Sequence, residues 1–117
     1  MNINLSEVRI FVRPGFTDMR KQINGLAVIA EAVMNQQPFS GNLFLFCGRN
    51  RTILKVLYWD RNGFCLWMKR LESQTFQWPN EETSSLCISN RELVWLLDGL
   101  TIHQAKAHRS LQFTCIS

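Results

Sequence analysis

Between Leu43 and Leu71 the chain carries three apolar runs of strand length, separated only by short polar turns. Leu43-Phe44-Leu45-Phe46-Cys47 precedes the basic turn Arg49-Asn50-Arg51, and Ile53 to Trp59 precedes Asp60-Arg61-Asn62-Gly63. Phe64 to Leu71 completes the set. Short runs rich in β-branched and aromatic residues, bounded by turn residues, read as strands. Turns this brief join antiparallel neighbours, so the segment predicts a meander. Asn and Gly tolerate positive φ, which marks Asp60–Gly63 as a hairpin turn.

The flanks extend this frame. Val8-Arg9-Ile10-Phe11-Val12-Arg13 alternates like a strand, and Pro14-Gly15 stops it. A helix is expected next, with Thr17 as N-cap and Asp18 at its positive start. Met19, Ile23, Leu26, Ala30, Val33 and Met34 form its apolar stripe, which fades near Asn35 before Pro38. Gly25 inside it costs roughly 1 kcal/mol relative to Ala, a cost that close packing against a sheet would justify. Thr75-Phe76-Gln77-Trp78 alternates and ends at Pro79, predicting another strand; Leu86-Cys87-Ile88 predicts a short last one. Ser89-Asn90-Arg91-Glu92 is a capping box, and Leu93, Leu96, Leu97 and Leu100 follow at helical spacing. Gly99 suits the position just past that helix. The expected fold class is α+β: an antiparallel sheet of about five strands in a meander, with two helices on one face, in the order β-α-β-β-β-β-(β)-α. Residues 1–102 form one domain in this reading, and 103–117 a polar tail.

Composition limits the functional classes. The chain has 117 residues, enough for a single core, with a formal charge of +4. That balance permits nucleic-acid contact without requiring it, because Lys and Arg bind DNA chiefly by neutralising phosphates. Four Trp and eight Phe exceed what so short a chain hides easily, so some rings are expected at a partner surface. The start lacks a basic leader or continuous apolar stretch, and the uncharged run from Ala32 to Gly48 is interrupted by Gln36, Gln37, Pro38 and Gly41. A cytoplasmic protein with no membrane partner is expected. Cys47, Cys65, Cys87 and Cys115 show no C-x-x-C pairing and read as small hydrophobes; His103 and His108 read as surface residues. No metal or cofactor is expected.

Two basic groups are the candidate sites. If Asn62-Gly63 forms a two-residue turn, Lys55 lies opposite Arg70, Val56 opposite Lys69 and Tyr58 opposite Trp67. Like charges across a strand pair repel, and a phosphate backbone would relieve that. Arg49, Arg51 and Arg61 at the hairpin ends add to the field, and a two-stranded ribbon can enter a major groove. The same cations could instead solvate the open face of a half-covered sheet. Arg20 and Lys21, at the expected helix start, form the second group, contacting an anion or pairing locally with Asp18. Catalysis has little support: Asp18, Asp60, Glu72, Glu92 and Asp98 follow no metal-binding spacing, and nucleophile and phosphate-loop motifs are lacking.

Several ordered motifs resemble one family. Thr17-Asp18-Met19-Arg20-Lys21 with Gly25-Leu26 is similar to the opening signature of TnpB, the second-reading-frame accessory protein of the insertion sequence sixty-six family. The likeness continues through Phe39-Ser40-Gly41, Leu43-Phe44-Leu45-Phe46 and Arg49-Asn50-Arg51. It is densest over Lys55-Val56-Leu57-Tyr58-Trp59-Asp60, Asn62-Gly63-Phe64-Cys65-Leu66 and Lys69-Arg70-Leu71-Glu72. It closes with Phe76-Gln77-Trp78-Pro79 and the Leu-rich second helix, covering roughly residues 8 to 100. Gln22-Ile23-Asn24 departs from the family's more usual Gly and aromatic, and the tail after Ile102 is less Arg-rich. An RNA-guided nuclease shares the family's name; it is far longer and carries an acidic catalytic set absent from this sequence. The resemblance implies a non-catalytic role in transposition beside a separate, larger transposase, and transfers no catalytic residues. The expected partners are that transposase and the DNA ends of the element. A protein-only adaptor that meets the transposase without touching DNA is the alternative.

Overall fold

The long connection between the first two strands shapes the sheet. In the computed structural model, which describes residues 7–100, β1 (Ile10–Val12) lies parallel to β2 (Leu43–Cys47), with Ile10 beside Leu43 and Val12 beside Leu45. Parallel neighbours need a crossover, and residues 13–42 supply it with helix α1 (Ile23–Val28). From β2 the expected meander holds: β3 (Ile53–Asp60) and β4 (Gly63–Arg70) each pair antiparallel with the strand before. β5 (Leu86–Ile88) returns to the far side of β1, giving a five-stranded mixed sheet in the order β4-β3-β2-β1-β5. The sheet is therefore mostly antiparallel, and β1 is the exception that a pure meander did not anticipate.

The two helices lie on opposite faces, not on one. Ile10, Val12, Leu43, Leu45, Leu54 and Val56 face Leu93 and Leu96 of helix α2 (Asn90–Leu97). Phe11, Phe44, Phe46 and Leu57 face Leu26, Ala30 and Met34 on the α1 side. Every residue of β2 is buried as a result. A strand covered on both faces cannot alternate polar with apolar, which explains the unbroken Leu43–Cys47 run.

The helix ends differ in how far local chemistry sets them. Thr17 does not cap α1. Its N–H donates to Cys47 O at 2.8 Å, tying the chain beyond β1 to the end of β2. The segment then turns at Asp18–Lys21, and the helix begins only at Ile23. It continues through a wider π-helical turn, Ile29–Val33, with Met34 N–H donating to Ile29 O at 2.9 Å. In an α-helix, residues four apart drift by roughly 40° per step. The wider turn reduces that drift and keeps Leu26, Ala30 and Met34 together in the core. A Cβ on Gly25 would meet the Lys21 stem at 3.2 Å, so this glycine makes room for a side chain and not for the sheet.

Helix α2 follows its sequence signals closely. Ser89 Oγ accepts from Glu92 N–H at 3.1 Å, and Glu92 Oε1 accepts from Ser89 N–H at 2.9 Å, completing the capping box. Gly99, at φ 81°, ends the helix, with Gly99 N–H donating to Leu96 O and Leu100 N–H to Trp95 O. The expected strand at Thr75–Trp78 joins no ladder. Phe76 and Trp78 still sink into the α2-side core, anchored by Phe76 N–H to Arg51 O at 2.7 Å and Trp78 Nε1–H to Arg13 O at 3.0 Å. Alternation therefore recorded alternate burial of an extended segment, which needs no neighbouring strand. The expected tail, with His103, His108 and Cys115, lies outside the described residues.

Removing the Ser89 hydroxyl should cost about 1 kcal/mol, the usual value of an N-cap. Urea unfolding of Ser89→Ala should show a lower midpoint, while Ser89→Asp stays near the parent; equal midpoints for Ala and Ser would contradict this role for the cap.

Candidate nucleic-acid interface

β1 and β2 end side by side, and their outgoing loops form the two walls of a cleft. Beyond β2, Gly48–Thr52 turns back into β3, with Arg51 N–H donating to Gly48 O at 2.9 Å and Arg51 held at φ 60°. Beyond β1, Pro14–Lys21 passes over that turn. Met19 lies so close that a Cβ on Gly48 would meet its Cγ at 2.6 Å, so only glycine fits beneath it. Between the walls is a cleft of about 450 Å³, lined in part by Phe16, Asp18, Met19, Arg49, Asn50 and Arg51. Two motifs distant in sequence thus meet beyond the carboxyl ends of parallel strands, a common ligand position in open α/β sheets.

The cations of this region are unequal. Arg20 grips Asp18 with Nη2 to Oδ2 at 2.7 Å and Nε to Oδ1 at 3.0 Å, while Arg20 N–H donates to Oδ1 at 2.9 Å. The side-chain hydrogen bond from Arg20 holds the Asp18 carboxyl well below the usual carboxylate range and raises the guanidinium in turn. Local pairing of Asp18 with an arginine, one of the two expectations for this motif, is what forms. The pair is exposed, with 91% of the Arg20 side chain open to solvent, so it orders the turn more than it stabilises the fold. Arg49, Arg51 and Lys21 are exposed and make no side-chain hydrogen bond or ion pair among the described residues.

The hairpin cations follow a register different from the expected one. The two linking residues are Arg61 and Asn62, not Asn62 and Gly63, because Asp60 pairs with Gly63. Arg61 adopts φ 58° and Asn62 N–H donates to Asp60 O at 2.6 Å, a three-residue closure. Moving the turn by one residue slips the pairing by two. Lys55 therefore lies opposite Met68, Leu54 opposite Lys69, Ile53 opposite Arg70 and Tyr58 opposite Cys65. A slip of two preserves the faces but removes the Lys55–Arg70 repulsion on which the ribbon argument rested.

Each remaining hairpin cation has its own surroundings. Lys55 is 4% exposed on the α1 side, and its Nζ donates to Met19 O at 2.9 Å and Lys21 O at 3.0 Å. Lys69 Nζ donates to Leu97 O at 2.8 Å, at the C-terminal end of α2, where the helix dipole favours a cation. Arg70 Nε pairs with Glu72 Oε2 at 2.9 Å on the surface. Arg61 is exposed at the hairpin tip, roughly 25 Å along β3 from the cleft at strand rise. The eight candidate cations are thus dispersed, and only Arg49 and Arg51 line the cleft. The sequence reading missed Phe16 and Asn50 as cleft residues. It held a signal for Lys55, a lysine within the apolar stretch Ile53-Leu54-Lys55-Val56-Leu57.

A second surface gathers aromatic rings at the hairpin end of the sheet. Phe39, Trp59 and Phe64 have ring centroids 5.0–5.4 Å apart. Phe39 is 55% exposed; Met68, equally exposed, shares the β4 face with Phe64 but lies four residues further along it, opposite Lys55. Cys47 and Cys65 are free thiols; burial pushes Cys47 up to about 12, in keeping with a packing role. Among the described residues, no three His, Cys, Asp or Glu side chains gather where they could hold a metal ion, and no helix is long and apolar enough to cross a membrane.

Lys55→Met should lower stability by about 2 kcal/mol, because it leaves the Met19 and Lys21 carbonyls without their buried donor. Urea denaturation checks this; an unchanged midpoint would mean that water replaces the ammonium.

The model of the family described as IS66 Orf2-like protein matches residues 8–107. The uncharacterized protein y4hO of Sinorhizobium fredii is 41% identical over 93 residues, covering 80% of this chain and 81% of that protein. The uncharacterized protein y4jC of the same organism is 32% identical over 93 residues, covering 80% of each chain. No solved structure matches.

Proposed function

This chain belongs to the IS66 Orf2-like family, accessory proteins of transposition, and we propose that it serves there without catalysis, by contacting DNA near the element's ends through the cleft rim. One observation carries the reading: Arg49 and Arg51 stand exposed, with no side-chain hydrogen bond or ion pair among the described residues, where two family-like motifs converge. Guanidinium groups held on a short, ordered turn suit bidentate phosphate contact. Lys21, exposed on the same loop, lines a separate recess beside α1 and stays outside the cleft. Arg20 remains exposed although paired with Asp18, and a phosphate can compete for its outward N–H groups. Lys55 and Lys69 leave the proposed contact set, because backbone carbonyls hold their ammonium groups, and Arg70, paired with Glu72, is not among the cleft residues. Arg61, at the far end of β3, belongs to a separate surface.

The adaptor reading keeps a specific observation in its favour, the cluster of Phe39, Trp59 and Phe64. A partly exposed aromatic patch has the composition of a protein interface core. It lies away from Arg49 and Arg51, so one molecule can meet DNA at one end of the sheet and the transposase at the other.

Gel shift of the purified protein on duplex DNA carrying the element's ends, at two salt concentrations, with and without transposase, tests both readings. Arg49→Ala with Arg51→Ala should weaken DNA binding and make the log–log salt slope shallower by about two. Phe39→Ala with Phe64→Ala should leave that slope unchanged and reduce recruitment of transposase. Unaltered DNA affinity in the double arginine variant would remove the cleft rim from DNA contact.

A further inference from the structure

The cleft is more than a charged rim. Its lining combines Phe16, which is 51% exposed, with Met19 and Ile53 and with Asn50 beside Arg49 and Arg51 in the turn. Duplex DNA keeps its bases stacked inside, so a recess of this kind admits a base only when that base is unpaired. A volume of about 450 Å³ is of small-ligand size. Exposed aromatic faces beside arginines form the usual platform for unpaired nucleotides, because every base has a π-face and every linkage a negative charge.

We infer that this cleft holds an unpaired nucleotide of the DNA, with its base against Phe16 and its phosphates on Arg49 and Arg51. The inference rests on the DNA-contacting function proposed above and deepens it from phosphate contact to single-strand recognition. Met19 forms the floor, and Gly48 beneath it allows the two loops to close around the base. Asn50 is the one lining side chain with both an amide donor and a carbonyl acceptor, and so can reach a base edge. Asp18 is tied to Arg20, which keeps its carboxylate from opposing the incoming phosphate.

Fluorescence anisotropy of the full chain tests this with three labelled probes of equal length: a single-stranded oligonucleotide, its blunt duplex, and an abasic strand carrying only sugar and phosphate. The single strand should bind more tightly than the duplex or the abasic strand. Phe16→Ala should weaken single-strand binding about tenfold, the usual scale of one lost stacking contact, and leave duplex affinity within about twofold. Phe16→Trp should restore the single-strand preference, which a merely structural role for the phenyl ring would not produce. Equal binding of the abasic and normal strands, or indifference to Phe16→Ala, overturns the inference. If Arg49→Ala with Arg51→Ala still lowers duplex affinity in that case, phosphate contact survives and only the nucleotide pocket falls. If no probe responds to the arginine changes, both readings fall together.

Discussion

A buried ammonium group joins the sheet to the wall of the cleft. Lys55 projects from the middle of a strand covered on both faces, where an unpaired charge would be costly. It is tolerated because Met19 and Lys21 turn their carbonyl oxygens toward it. The dependence runs both ways: those carbonyls belong to a segment that is not yet helical and lacks intrahelical donors. One side chain thus satisfies backbone that the delayed start of α1 leaves open. The position of Met19 over Gly48, and with it the shape of the cleft, follows from that link.

The positive charge of the chain divides by what it meets. Lys55 and Lys69 each neutralise backbone carbonyls, one at a loop and one at a helix end. Arg20 and Arg70 each neutralise a carboxylate two residues away. Among the described residues, Arg49 and Arg51 do neither. A formal charge of +4 therefore says little about the local field, because cations with internal partners and cations without them count alike.

Local signals in the sequence carried well where local chemistry decides the outcome. Ser89 and Glu92 announced their helix, Gly99 its end, and the apolar runs announced β2, β3 and β4. Thr17 misled because a hydroxyl residue before an apolar stripe looks the same whether or not a strand end claims its backbone; here the Cys47 carbonyl claims it. The parallel pairing of β1 with β2 rests on contacts across residues 13–42, which no short window contains. The unbroken run from Leu43 to Cys47 did hold the clue that both faces are covered. The hairpin slipped because Asn-Gly is the commoner turn pair, and Arg61 adopted positive φ instead. Of the site, the motifs were legible but their meeting was not, since only the fold brings Asp18 beside Arg49.

Arg51 sits in the left-handed region, at φ 60°, where a residue with a Cβ bears a steric cost of roughly 1–2 kcal/mol. Glycine or asparagine would fit that turn more comfortably and would also erase a guanidinium from the rim. The DNA contact proposed above would set selection for thermal robustness and selection for that contact against each other at this one position. Under that proposal, a chain released from the contact would be free to relax there first.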